Sequence, residues 1–201
     1  MKLKVCGMCQ PENILEVAGL APDYLGFIFY RESVRFVGDT FTVPEGIPRR
    51  IKKVGVFVNQ TLDEMFLLAN RHKLDFIQLH GEETAPVCRQ IRRQGLGVIK
   101  AFRIDEGFDF NEVHAYRDAI DYVLFDTKGK RYGGNGVPFD WTLLKKYDQG
   151  IPFFLSGGIA PDLLQSMDLL KDMNLHALDV NSRVEKEIGI KDVELIREFM
   201  L

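Results

Sequence analysis

Apolar residues in this chain gather in eight short runs. They are "LKVC" (3–6), "YLGFIF" (24–29), "VGVFV" (54–58), "FIQLH" (76–80), "VIKAF" (98–102), "YVLFD" (122–126), "PFFLS" (152–156) and "HALDV" (176–180). Most are apolar almost throughout, the pattern of strands covered on both faces in a parallel sheet. Between them, apolar positions recur at helical spacing. Leu62, Met65, Phe66 and Ala69 share one face, as do Val87, Cys88 and Ile91, and then Leu163, Leu164 and Met167. Successive strand starts lie roughly 20–30 residues apart, the length of a minimal βα unit.

Eight strands alternating with helices predict an α/β chain folded as a single (β/α)8 TIM barrel, one domain over residues 1–201. A chain of 201 residues is short for that architecture, so its helices and loops must be short too. An open doubly wound sheet is the competing arrangement, but no G-x-G-x-x-G follows the first strand. The terminal "IKDVELIREFM" predicts a last helix that packs Val193, Ile196 and Met200 onto the barrel.

Composition narrows the partners. Hydrophobic residues make up 46% and charged residues 27%, enough apolar chain for a core without disulfides or metals. The formal charge of −3 creates no global field for nucleic acid or an anionic membrane, so any phosphate must be bound locally. Runs such as "YLGFIFY" are too short to cross a bilayer. Three cysteines do not make a disulfide framework, and the first residues carry no secretory pattern. The expectation is a cytoplasmic chain with reduced thiols.

In a barrel of this kind, side chains at or just past the C-terminal strand ends face the active site. Those positions hold Cys6, Arg35, His80, Arg103, Asp126, Ser156-Gly157-Gly158 and Asp179-Val180-Asn181-Ser182. Taken singly, each has a bland reading. A free cysteine is usually a small buried hydrophobe, an aspartate often a cap, an arginine usually a surface charge, and a histidine often a hydrogen-bonded structural group. Convergence on one rim favours an enzyme.

Cys6 and Cys9 also form C-x-x-C, which suits a redox dithiol, half a zinc site, or one working thiol beside an idle one. A thioredoxin-like dithiol explains neither eight strands nor the two candidate anion loops at Ser156-Gly157-Gly158 and Asp179-Val180-Asn181-Ser182. Zinc needs two further ligands, and Cys88 falls on an apolar helical stripe.

Taken together and in order, the motifs resemble those of the phosphoribosylanthranilate isomerase family of tryptophan biosynthesis. They are "KVCGM" (4–8), "DYLGFIFYRESVR" (23–35), "VGVFVN" (54–59), "QLHG" (78–81), "VLFDT" with "GGNG" and "FDW" (123–141), "LSGGIAPDLL" (155–164) and "LDVNSRVE" with "GIKD" (178–192). The resemblance implies an Amadori rearrangement of N-(5-phosphoribosyl)anthranilate, an aminoaldose, to 1-(2-carboxyphenylamino)-1-deoxyribulose 5-phosphate, an aminoketose. It implies no cofactor and no metal, because the amine nitrogen supplies the electron push. The expected partner is this small-molecule substrate, with no nucleic acid and no membrane, and the expected assembly is a monomer or homodimer.

By the same resemblance, Cys6 is the base that takes the C2 proton and Asp126 the acid that opens the furanose ring. A thiol near ~8.5 is mostly protonated at neutral pH, so Cys6 needs a cation such as Lys4, two residues back on the same strand face. An aspartate needs surroundings that keep its proton, for which Phe125, Tyr122 and the substrate phosphate are candidates. Arg35 matches the arginine for the anthranilate carboxylate. His80 and Asp179 are expected to contact substrate. Gly157, Gly158, Asn181 and Ser182 are expected to hold the phosphate through backbone amides. The Gly-rich stretch 128–136 is long enough to fold over the substrate.

One departure stands out: Arg183 occupies a position where the family commonly has glycine. Rival phosphosugar barrels fit less well. A histidine-pathway isomerase is expected to pair two aspartates, which Cys6 breaks. A metal-dependent epimerase is expected to cluster histidines, whereas here they stand at 72, 80, 114 and 176. A non-catalytic phosphate-binding barrel is the remaining alternative.

Overall fold

The computed structural model describes residues 2–129 and 139–200. The strands are β1 (Lys2–Val5), β2 (Tyr24–Ile28), β3 (Lys52–Phe57), β4 (Phe76–Leu79), β5 (Gly97–Ile104), β6 (Tyr122–Thr127), β7 (Phe153–Leu155) and β8 (Leu175–Val180). Each pairs in parallel with the next, and β8 returns to β1 with Lys4 opposite Asp179, closing the barrel. All eight apolar runs are strands, and their ends agree within two residues.

Strand alternation divides the core in two. Outward residues such as Val5, Phe27, Ile77, Val123 and Phe125 join the large apolar layer beneath the helices. Inward residues Tyr24, Val54, Ile99, Leu124, Phe154 and Ala177 fill the barrel itself. Farther along the same inward rows come the polar residues Lys4, Gln78, Asp126 and Asp179, all buried. The lower barrel is therefore a packed plug and the upper barrel a polar floor.

Helices α1 (Pro11–Gly19), α2 (Leu62–His72) and α3 (Ala85–Arg93) cover the first half. Thr61 opens α2 with a capping box, its hydroxyl accepting from the Glu64 amide while the Glu64 carboxylate accepts from the Thr61 amide. Met65 and Ala69 of α2 and Cys88 and Ile91 of α3 are buried, as their stripes predict.

Regular alternation with α-helices fails at four connections. Residues 29–51, between β2 and β3, contain no helix. Pro44, Pro48 and left-handed glycines at 38 and 46 interrupt them, and Phe41 and Ile51 cover the barrel from loops instead. After β5, β6 and β7 the connections are 3₁₀ segments, at Phe110–Tyr116, Trp141–Lys146 and Pro161–Leu170. A 3₁₀ turn rises about 2.0 Å per residue against 1.5 Å for α, so fewer residues span a strand's length. Leu163 and Leu164 pack from the third segment, whereas the side chain of Met167 lies outside the described residues. At the C-terminus, α4 (Val193–Arg197) packs Ile196 and Val193 onto the core. Met200 does not pack as expected and is 40% exposed, because the final turn tightens to 3₁₀ and rotates it off the stripe. Of the stretch 128–136, only residues 128 and 129 are described, so the expected lid falls outside. Among the described residues, no helix is long and apolar enough to cross a membrane.

A bulge in β8 has a consequence for stability. Phe153 pairs with Leu175 but Phe154 with Ala177, so His176 is the extra residue and turns inward. Its ring lies 4.1 Å from that of Tyr122, and its Nε2 lies 2.7 Å from the Tyr24 hydroxyl. Burial, with Lys2 nearby, lowers the His176 pKa from 6.5 to about 4. The unfolded chain therefore binds a proton more readily than the fold between those values. The contribution is complete above pH 6.5 and is lost as pH falls through 4, amounting to about 1–3 kcal/mol. Urea unfolding at pH 7 and pH 4.5 checks this. The wild-type protein is expected to lose more stability on acidification than His176→Phe, and equal losses would contradict the assignment.

Candidate active site

The cavity at the C-terminal mouth of the barrel is built by residues from separate strands. Cys6, Gln78, His80, Asp126 and Asp179 line it, with Arg35 at one side and Ser156-Gly157-Gly158 at another. Cys6 directly follows β1 and its amide donates to the Val180 carbonyl at 2.9 Å, so the β1–β8 seam holds it. Gly26 makes room for the thiol, since a Cβ there would lie 2.7 Å from Cys6 Sγ. A side chain at that inward position of β2 would have to displace the thiol.

Beneath Cys6 lies Lys4, fully buried, with Nζ 2.8 Å from Asp179 Oδ1. Burial pushes the Cys6 thiol up, and Asp179 pushes it the same way. Lys4 and Lys191 oppose the rise without overcoming it. Burial also raises the Asp179 carboxyl, against the pull of Lys4. The Lys4 ammonium is nevertheless held above its ordinary range, because Asp179 and Cys6 outweigh its loss of hydration. The expected cation is thus present and charged, but a carboxylate shares it.

Across the mouth, Asp126, one residue before the end of β6, lies opposite Arg103 of β5. Its Oδ1 accepts from the Thr127 amide at 2.9 Å and its Oδ2 lies 3.2 Å from His80 Nε2. The surroundings differ from those expected. Phe125 faces outward into the layer beneath the helices, and Tyr122 packs in the plug at the far end of the barrel. A strand alternates its faces, so the residue next to Asp126 in sequence is the one least able to touch its carboxyl. The loop that carries His80 is anchored from below. The Glu83 carboxylate accepts from the amides of Asn59 at 2.8 Å and Gly81 at 3.0 Å, and buried Lys100 donates to the Gly81 carbonyl at 2.7 Å.

Arg35 is brought to the mouth by the long β2–β3 connection. Its Nε and Nη2 donate to the two carboxylate oxygens of Glu185 at 2.8 and 2.7 Å. Glu185 also receives buried Lys191 at 2.6 Å, and Lys191 donates to Asn181 Oδ1 at 2.6 Å. Burial works to raise the Glu185 pKa, but these cations hold its carboxyl below the usual range. One edge of the guanidinium is therefore occupied. The edge formed by Nη1 and Nη2 has no Nη1 contact among the described residues.

Gly157 and Gly158 have φ of +92° and +68°, a left-handed pair that glycine adopts without strain, so the backbone after β7 lines the cavity with no side chain over it. Asn181 and Ser182 line the cavity after the neighbouring strand β8, which leads into a single 3₁₀ turn, Ser182–Val184. Arg183 is exposed at the rim.

Of the other candidates, Arg103 turns to Glu82, 3.0 Å away, and does not line this cavity. Cys9 lies against the carbonyls of Gly7 and Arg35, at 3.5 and 3.4 Å, and Cys88 is buried beneath α3. Among the described residues, no three His, Cys, Asp or Glu side chains group as metal ligands. Residues not singled out from sequence are Gln78, Glu185 and Lys191. The period of two that aligns Gln78 with His80 on β4 was a usable signal for the first.

The chain matches the family described as N-(5'phosphoribosyl)anthranilate (PRA) isomerase over residues 3–201. It is 42% identical to N-(5'-phosphoribosyl)anthranilate isomerase of Parabacteroides distasonis, over 100% of this chain and 92% of that one. The fold superposes on phosphoribosyl anthranilate isomerase from Thermotoga maritima with a TM-score of 0.87 and 32% identity, covering 100% and 97% of the two chains. It also superposes, with a TM-score of 0.84 and 30% identity over 100% and 96%, on a phosphoribosyl anthranilate isomerase in complex with reduced 1-(o-carboxyphenylamino)-1-deoxyribulose 5-phosphate. Sequence match, barrel and cavity agree, and the chain belongs to the N-(5'-phosphoribosyl)anthranilate isomerase family.

Proposed function

We propose that this cavity isomerises N-(5'-phosphoribosyl)anthranilate in tryptophan biosynthesis, with Asp126 as general acid and Cys6 as general base. The reading is carried by one observation: a thiol after β1 and a carboxyl at the end of β6 line the same cavity from well-separated strands. Acid and base must reach the sugar from different directions, and this arrangement lets them.

The steps follow from the groups present. Asp126 gives its proton to the furanose ring oxygen, the C1–O bond breaks, and the nitrogen lone pair forms the iminium. The carboxylate left behind accepts from the Thr127 amide and has His80 beside it. The iminium acidifies the C2–H bond, and Cys6 Sγ takes that proton to leave an enolamine. Tautomerisation of the enolamine gives the aminoketone, so the enzyme is an isomerase of the aldose–ketose type. No electron acceptor is needed, since C1 is reduced as C2 is oxidised.

The anthranilate carboxylate takes the Nη1–Nη2 edge of Arg35, while Glu185 keeps the other edge and fixes the guanidinium plane. The phosphate takes the amides of Gly157 and Gly158, with those around Asn181 and Ser182. Asp179, tied to Lys4 through Oδ1, faces a ribose hydroxyl. The chain acts as one domain, as a monomer or homodimer, and its free thiols suit the cytoplasm.

Arg35→Met tests the carboxylate end. Losing a charge-assisted pair is expected to raise KM about 10- to 100-fold with a smaller effect on kcat. Steady-state assays of phosphoribosylanthranilate consumption read both. An unchanged KM would remove Arg35 from the substrate site, and strong inhibition by a chelator would favour a metal-dependent reaction instead.

A further inference from the structure

We propose that Gln78 is a positioning residue for the acid: it locks His80 as the Nε2–H tautomer, so that His80 donates to Asp126 and cannot accept from it. The inference rests on the reading of Asp126 as acid and extends it to the residue that orders its neighbour.

Gln78 and His80 lie two residues apart on the inward face at the end of β4. Gln78 is 1% exposed, and its Nε2 lies 3.0 Å from His80 Nδ1. An amide nitrogen can only donate, so with this end of the Gln78 amide toward the ring, Nδ1 accepts. A neutral imidazole that accepts at Nδ1 carries its proton on Nε2, and Nε2 is the atom 3.2 Å from Asp126 Oδ2. The row Gln78–His80–Asp126 thus has one direction. The Gln78 carbonyl oxygen is buried without a hydrogen-bond partner among the described residues. The side chain is therefore tied to His80 alone rather than woven into a wider polar network.

The direction matters for delivery of the proton. In the opposite tautomer, Nε2 presents a lone pair, and a protonated Asp126 would donate to it. The acid's proton would then be engaged within the barrel wall instead of meeting the ring oxygen. With Nε2–H in position, both Asp126 oxygens are acceptors, and each keeps a second lone pair that can carry the proton. As the O–H bond of Asp126 breaks and the new bond forms on the ring oxygen, the growing carboxylate charge meets N–H groups from His80 and Thr127. No proton passes through His80; its role is to hold a fixed dipole.

The test is nitrogen-15 NMR of histidine-labelled protein, with His80→Gln used to assign the ring signals. Wild-type His80 is expected to show an unprotonated Nδ1 and a protonated Nε2; a protonated Nδ1 would overturn the proposal without any variant at position 78. Gln78→Met removes the donor, and its His80 signals should move to a mixture of tautomers. Its kcat should fall about 10- to 100-fold with KM changing less than about threefold. Gln78→Glu places an acceptor against Nδ1 and should favour the opposite tautomer, with lower kcat than the Met variant. A packing role would lower the stability of both variants and leave the tautomer unmoved, which would also overturn the proposal. Asp126→Asn separates the two readings. If it keeps full turnover, the acid assignment fails; if it is inactive while Gln78→Met keeps wild-type kcat, only the lock fails.

Discussion

Asp126→Asn is expected to lower kcat/KM on the order of 10²- to 10⁴-fold, the range a positioned acid contributes. The amide has nearly the shape of the carboxyl but no proton that the ring oxygen can take. The variant also carries a cost in stability that follows from the site. Asp126 accepts at one oxygen from the Thr127 amide and has His80 Nε2 against the other. An asparagine has a single oxygen, so one of two buried donors faces an N–H. Stability should fall by about 1–3 kcal/mol, measurable by urea unfolding. An active-site effect is distinguished from misfolding by assaying the variant well below its unfolding midpoint. Retention of wild-type kcat/KM there would remove Asp126 from the chemistry.

Cys6→Ala should have a loss of similar order, on the order of 10²- to 10⁴-fold, because no neighbouring base can replace the thiol on that side of the sugar. The free enzyme adds a pH signature. Burial and Asp179 hold the Cys6 thiol above its ordinary value of 9.0, although Lys4 and Lys191 pull the other way. Since kcat/KM requires Cys6 ionised and Asp126 protonated in the free enzyme, it should be bell-shaped in pH, with the limb set by Cys6 lying above its ordinary 9.0. Cys9→Ser should leave this limb in place, since the Cys9 thiol points at the carbonyls of Gly7 and Arg35. A profile with both limbs below pH 9 would mean that a different group is the base. The same observations explain why a catalytic thiol sits above a lysine that is already paired. An unpaired Lys4 at complete burial would shed its proton, and Asp179 keeps it charged and near Sγ.

Sequence patterning carried the architecture because both faces of every barrel strand are covered. "YVLFD" had to be a strand, and its last residue had to stand at the rim. What stayed illegible was the pairing of charges across the chain. Lys4 meets Asp179 over 175 positions and Arg35 meets Glu185 over 150, and no local rule selects such partners. The β2–β3 connection was equally opaque. Its glycines and prolines forbid a helix, but only the folded chain reveals that Phe41 covers the barrel there. Proximity in sequence points to Phe125 and Tyr122 as neighbours of Asp126, but strand alternation removes the first and distance along β6 removes the second. The thiol, the acid and the two glycines were readable as strand-end positions. Gln78 was not, because an inward glutamine at a strand end has no chemistry until its neighbour's tautomer is considered.

One acid from β6 and one base after β1 act on a single sugar. The direct measurement is the loss of fluorescence of freshly generated phosphoribosylanthranilate, followed in parallel with the wild-type protein, Asp126→Asn, Cys6→Ala and Cys9→Ser. Wild type and Cys9→Ser should consume it far faster than its spontaneous decay, and the other two should barely exceed that decay. Wild-type consumption by Cys6→Ala or Asp126→Asn, or loss of activity in Cys9→Ser alone, would contradict it.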